Sequence, residues 1–281
     1  MSITNKGVPF ADLSLARRLE RAEGQACREF AEARSRLYPE SGAAWIECAG
    51  AYAVFDGIQS PVTQTFGLGL FEDLDPAALD RIERFFLERG APVVHEVSPL
   101  AGVATLNLLC ARNYRPIELS SVLYLPLEED SLQPIADLTQ SQGSVTVRIT
   151  GSEESALWAD ISARGWAHDF PEMLDALLQF GGLAADREHC VSFLAELDGE
   201  PGGAGALCLH EGVALFGGAS TVPEMRQRGL QSALLKARMR YAVEHGYTLA
   251  MMVTEAGSQS QRNAERLGFR IAYTRTKWQL S

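Results

Sequence analysis

The chain has 281 residues, 46% hydrophobic and 22% charged, with a formal net charge of −11. This is the composition of a water-soluble globular protein, long enough for two domains of average size. No segment approaches the ~20 unbroken apolar residues of a membrane helix, and an acidic chain lacks the basic surface that nucleic acid requires. The opening stretch, MSITNKGVPFADLSLARRLERAEG, has no apolar run of secretory-signal length, so a cytoplasmic location is expected.

Residues 10–37 place Phe10, Leu13, Leu15, Ala16, Leu19, Ala26, Phe30, Ala33 and Leu37 at helical spacing, and Pro39 to Gly42 ends the run. Strands are predicted near 44–49, 51–56 and 62–70, with Asp56-Gly57 as a turn. Asp75-Pro76 opens a helix as N-cap and first helical residue, and Gly90 closes it. APVVHEV reads as a strand, GVATLNLLCAR as a helix and ELSSVLYLPL as a strand. The polar segment 128–143, EEDSLQPIADLTQSQG, reads as a linker.

Beyond it, SVTVRIT (144–150) reads as a strand and 153–164 and 171–181 as helices. Three strands then form hairpins at 190–197, 202–210 and 213–221, with turns at Asp198-Gly199 and Glu211-Gly212. The segment RQRGLQSALLKARMR leads into a helix whose apolar face is Leu230, Ala233, Leu234, Ala237 and Tyr241, with Lys236, Arg238 and Arg240 on other faces. A strand at 247–253, a helix over SQSQRNAERL and a strand over FRIAYTRTKWQL complete the chain.

The five cysteines, Cys27, Cys48, Cys110, Cys190 and Cys208, are scattered without a CxxC pair and read as reduced core thiols. The five histidines lack HExxH-type spacing, so no metal is expected.

The chain also repeats itself. The stretch from Phe85 (FFLERGAPVVHEV…ARNYRPIELSSVLY) and the stretch from Arg240 (RYAVEHGYTLAMMV…ERLGFRIAYTRTKW) share one order. A helix ending in glycine, an apolar strand, a helix and an aromatic–arginine pair (Tyr114-Arg115, Phe269-Arg270) lead into a final strand. Two copies of one α/β fold follow, each a mixed, mostly antiparallel sheet flanked by helices. The boundaries are 1–127 for the first, 128–143 for the linker and 144–281 for the second.

The copies differ where an anion would sit. A helix N-terminus offers unpaired N–H groups and the positive end of the helix dipole. In EMRQRGLQ, Gly229 permits a backbone that turns successive amides onto one ligand, Arg226 and Arg228 add charge, and Ser232 adds a hydroxyl. The counterpart FEDLDPAALD carries Asp73, Asp75 and Pro76, which repel a polyanion and withhold a donor. Only the second copy is expected to hold phosphate.

VPEMRQRGLQSALL followed by QRNAERLGF resembles the GNAT acetyltransferase superfamily over roughly 144–281. Its acyl-CoA loop, Arg/Gln-x-x-Gly-x-Gly/Ala, maps onto Arg226, Gly229 and Gln231; Gln231 departs from the small residue of that pattern. The resemblance implies acetyl-CoA as cosubstrate, with the backbone of Ser220, Thr221 and Val222 meeting pantetheine and the acetyl group. The amides of Gln227, Arg228, Gly229, Leu230, Gln231 and Ser232 would hold the pyrophosphate, and Asn263 would contact the pantetheine arm. The first half resembles the degenerate copy of tandem members.

The family transfers acetyl directly to an amine, so a primary amine on a small molecule or peptide is the expected acceptor, and net acidity is compatible with a cationic one. Glu255, after the strand 247–253, is the candidate general base; its alternative is a solvated loop carboxylate. Trp166, His168 and Asp169 either wall the acceptor site or serve packing and capping. The tyrosine that the family uses as acid falls on Ala264 here. A non-catalytic acyl-CoA sensor is the alternative reading, and a homodimer is compatible with the sequence.

Overall fold

The computed structural model describes residues 9–127, 144–167 and 174–281; the predicted linker and residues His168 and Asp169 lie outside them. The first half comprises α1 (Leu13–Leu37), β1 (Ala44–Cys48), β2 (Ala51–Phe55), β3 (Gln64–Phe66), α2 (Pro76–Leu87), β4 (Val94–Val97), α3 (Gly102–Ala111) and β5 (Tyr114–Pro126). The second comprises β6 (Val145–Ile149), α4 (Ser155–Ala167), α5 (Leu174–Ala185), β7 (Cys190–Leu197), β8 (Glu200–His210), β9 (Val213–Thr221), α6 (Leu230–Glu244), β10 (Leu249–Glu255), α7 (Gln259–Arg266) and β11 (Arg270–Leu280).

Local signals account for most of these boundaries. Asp12 caps α1, its Oδ1 accepting from the Leu15 N–H at 2.9 Å. Asp75 caps α2 in the same way through Ala78 N–H at 2.7 Å, with Pro76 at the first helical position. The strand expected over 62–70 is shorter, only Gln64–Phe66.

Among the described residues eleven strands form one sheet in the order β1-β2-β3-β4-β11-β5-β10-β9-β8-β7-β6. The final strand of each half lies beside the other half's strands. β11 pairs with β4 and β5, and β5 pairs with β10, all antiparallel. The two halves are thus stitched through a shared sheet centre.

Alternation along the strands fixes which helices cover which face. Ala51, Ala53 and Phe55 pack with α2 and α3, while Tyr52, Val54 and Phe66 pack under α1. At the sheet centre and in the second half, Leu123 of β5, Phe216 and Met252 pack with α6 and α7, while Val122 of β5, Leu215 and Met251 pack with α1. The single long helix α1 therefore spans both halves on one face, joined there by α4 and α5.

Two expectations are corrected. Cys190 and Cys208 are not free thiols: they face each other across β7 and β8, with Cα atoms 4.1 Å apart, and form a disulfide. Sequence separation hid the pairing, which only strand register creates. Arg238 does not lie on an outer face of α6 but is 1% exposed, taking a core position beside Leu234, Leu235 and Met239. Its guanidinium donates to the carbonyls of Leu234, Ala206 and Gly217 and stacks over Phe216, which accounts for its burial. Burial lowers its pKa to about 9.

Candidate functional site: a cationic cleft and an acidic cavity on either side of the sheet

The site begins with a parting of strands. β9 and β10 pair in parallel only from Leu249↔Val213 to Met251↔Leu215. Past that point β9 runs on to Thr221 and β10 to Glu255 without pairing to each other, which opens a wedge in the sheet. A bulge in β9 sits at the wedge: Ala204 pairs with Ser220 and Ala206 with Gly217, so β9 carries one extra residue there, with Gly218 at φ 58°. Such a bulge turns backbone groups out of the ladder and toward a ligand.

α6 starts at the mouth of this wedge. Its N-cap is Gly229 at φ 89°, a conformation that disfavours any residue with a Cβ, and no side chain caps the helix. Gln227, also at positive φ (61°), turns the chain just before. The first intrahelical bond is Ala233 N–H to Gly229 C=O, so the amides of Leu230 to Ser232 lack helical partners.

A cleft of about 700 Å³ lies over this helix end. Ser220, Thr221, Arg226, Gln227, Gly229, Leu230, Gln231, Ser232 and Asn263 all line it, as predicted members of one site, together with Trp166. A smaller adjoining cavity reaches into the wedge between Phe216, Met252 and Arg238 and shares Trp166, Ala219, Gln231 and Asn263 with the cleft.

Three expected contributors are used differently. Val222 does not line the cleft, and its N–H is bonded to Gly202 C=O. Arg228 is exposed and outside the lining. Arg226 does line the cleft, but its guanidinium donates to Thr221 C=O and, at 2.9 Å, to Gly165 C=O, tying the loop to α4. That closeness depends on Gly165, where a Cβ would lie 2.5 Å from Ser220 Oγ. Gln231, the departure from a small residue, points its Nε2 at Thr221 Oγ1 (2.9 Å) and so braces α6 against β9.

Sequence reasoning missed Gln259 and Arg266. They share one face of α7 with Asn263, at i, i+4 and i+7, and that spacing was the available signal. Among the described residues the lining thus holds Arg226 and Arg266 and no carboxylate, in a chain of net charge −11. Among the described residues no tyrosine lines the cleft or the wedge cavity. Ala264, where the family tyrosine was expected, is fully buried in the α6–α7 core.

The opposite face is of opposite sign. Under α1 a cavity of about 270 Å³ is lined by Glu23, Glu96, Glu118 and Glu255, with Arg275 as the cation. Glu255 reaches it from the end of β10, opposite Ser120 on β5. Arg275, 2% exposed, contacts Glu20, Glu23 and Glu96 together: Nη2 to Glu23 Oε1 at 2.7 Å, Nη1 to Glu20 Oε2 at 3.2 Å and Nε to Glu96 Oε2 at 3.1 Å. Lys277 joins Glu96 to Glu118. Burial, against the pull of Arg275, lifts Glu20 to about 7. Tyr273, whose hydroxyl donates to Glu20, is likewise pushed up by burial and stands away from the cleft.

The matching helix of the first half has a different N-terminus. Asp75 occupies the amides of α2 and Pro76 supplies none, so that helix end is self-capped.

Comparison with known proteins follows this geometry. Residues 155–269 match the model of the acetyltransferase (GNAT) family. No curated protein matches the chain. Among solved structures, the GCN5-related N-acetyltransferase from Kribbella flavida superposes with a TM-score of 0.60 at 18% identity, over 90% of this chain and 95% of that one. A conserved protein of unknown function from Staphylococcus epidermidis gives 0.60 at 8% identity, over 88% and 96%. A tandem GNAT protein from the clavulanic acid biosynthesis pathway gives 0.58 at 13% identity, over 94% and 95%. The family match is thus confined to residues 155–269, and the chain as a whole shares its fold with the tandem GNAT protein.

Proposed function

We propose that this protein is an acetyl-CoA-dependent N-acetyltransferase in which the second half, 144–281, binds the cosubstrate and the first half, 1–127, is a non-binding copy that helps to form the acceptor side. The observation that supports this most is the pairing of an uncapped helix N-terminus at Gly229 with a cleft whose described lining holds two arginines and no acid. The residues present fit the cosubstrate. The amides of Leu230 to Ser232 would hold a pyrophosphate, Arg266 would add charge, and Asn263 and the β9 bulge would border the arm that runs into the wedge. Acetyl-CoA supplies the acyl group as an activated thioester.

The acceptor would then arrive from the α1 face. The acidic cavity there abuts β10 at Val253, Thr254 and Glu255, the strand that forms one wall of the wedge. Its carboxylates attract and orient a cationic amine, and Glu255, exposed at the end of β10, accepts the proton that the ammonium must lose before attack. The nitrogen forms a bond to the acyl carbon as the carbon–sulfur bond breaks. The thiolate leaves unaided by a tyrosine, as a thiol pKa near ~8.5 allows.

Calorimetry with acetyl-CoA should show one site per chain, and thiol release should follow addition of small diamines. Glu255→Gln should lower kcat more than it changes acetyl-CoA affinity. A chain that binds no acetyl-CoA, or binds two equivalents, contradicts the assignment. The second reading, an acyl-CoA sensor without turnover, draws support from the cleft's lack of a tyrosine. Binding without thiol release across a panel of amines would favour it.

A further inference from the structure

A cluster of three ionisable side chains lies outside the linings of the cleft and the acidic cavity. Glu29 on α1, His189 just before β7 and His210 at the end of β8 converge, with one ligand atom from each all within 4.8 Å of one another. Glu29 is 3% exposed and His210 9%. Glu29 Oε1 lies 2.5 Å from His189 Nδ1 and 3.4 Å from His210 Nε2. His210 Nε2 is buried and makes no hydrogen bond of good geometry. A buried imidazole nitrogen with only a long carboxylate contact and no well-formed hydrogen bond carries a desolvation cost that a ligand would relieve. The two rings stand 5.1 Å apart and tilted by 55°, so they do not stack on each other.

We propose that Glu29, His189 and His210 form a binding site for a divalent transition-metal ion of the zinc type. Two imidazole nitrogens and one carboxylate are the ligand set such ions accept, and hard ions such as Mg²⁺ prefer all-oxygen sites. The His189 side chain is 58% exposed, which leaves the fourth position open to water and gives the ion a path in. The neighbouring disulfide supports the same reading independently. Cys190 adjoins His189, and Cys208 lies two residues before His210 on the same strand face. The cross-strand bond therefore holds two of the three ligands in register before any ion arrives. Arg187, whose charge acts on Glu29, donates to the carbonyls of Ala184 and Ala26. An ion here would fasten α1, from the first half, to the β7–β8 hairpin of the second. No spacing motif announces the site, because its ligands are brought together only by the fold.

The test uses the full chain, stripped with chelator and left oxidised. Titration with ZnCl₂ should show one saturable site per chain, and Co²⁺ should develop the visible d–d absorption of a nitrogen–oxygen tetrahedral site. His189→Ala, at an exposed position, and Glu29→Gln should each weaken Zn²⁺ binding at least 10-fold. Unchanged acetyl-CoA binding and circular dichroism would show that the variants fold. Absence of saturable Zn²⁺ binding in the wild type overturns the proposal, as does wild-type affinity in a folded His189→Ala.

Discussion

Replacing Gly229 with Asp tests the cleft most directly. The residue sits at φ 89°, so adding a Cβ costs about 1–2 kcal/mol in backbone strain. The new carboxylate would also occupy the place of a phosphate at the helix end and compete for the amides of Leu230 to Ser232. A charge about 5 Å from a phosphate oxygen costs roughly 1 kcal/mol in water and about 3 kcal/mol at an effective dielectric of 20. That range corresponds to a Kd raised about 5-fold to 200-fold. Gly246 provides the control. It lies at the far end of the same helix at φ 78°, with open space around it, so Gly246→Asp imposes a similar backbone cost without meeting the cleft. Calorimetry should show Gly229→Asp binding acetyl-CoA at least ~5-fold more weakly and Gly246→Asp binding it as the wild type does. Equal affinities in the two variants would refute the argument that this helix end holds the pyrophosphate.

Glu20 offers a pH test. Its folded pKa, about 7, exceeds the ordinary 4.5, so the fold favours the protonated acid, and this group's contribution to stability falls as pH rises from about 4.5 to about 7. Urea midpoints should therefore show Glu20→Gln gaining on the wild type between pH 5 and pH 8; a gain at pH 5 that vanishes at pH 8 is the opposite sign. Arg238→Met strips the carbonyls of Ala206 and Gly217 of their donor, so a loss of about 2–3 kcal/mol in denaturant titration is expected, with weaker acetyl-CoA binding because both carbonyls border the β9 bulge. The Cys190–Cys208 bond closes a sequence separation of 18, and Cys190→Ser/Cys208→Ser should cost up to about 3 kcal/mol while leaving the acetyl-CoA cleft intact.

Much of the cleft was legible because it is local. Glycine at a helix start, arginines beside it, and an opposing copy with Asp75 and Pro76 are all features within a few residues, and capping chemistry acts over that range. Asn263 followed from its motif, and Gln259 and Arg266 were readable from the same helix face.

The sequence alone determined the order of elements, the duplication, and which half carries an open helix end, since periodicity and caps are written in neighbouring residues. Tertiary structure decided everything that depends on strands and helices meeting from afar. It placed β11 beside β4 and β5 beside β10, buried Arg238 against β8 and β9, and joined Cys190 to Cys208. It gathered Glu20, Glu23 and Glu96 around Arg275, and brought Glu29 to two histidines more than 150 residues away. Strand pairing has no local code for its partner: register is set by burying whole faces at once, and charges that look solvated in the sequence become neighbours only when those faces close.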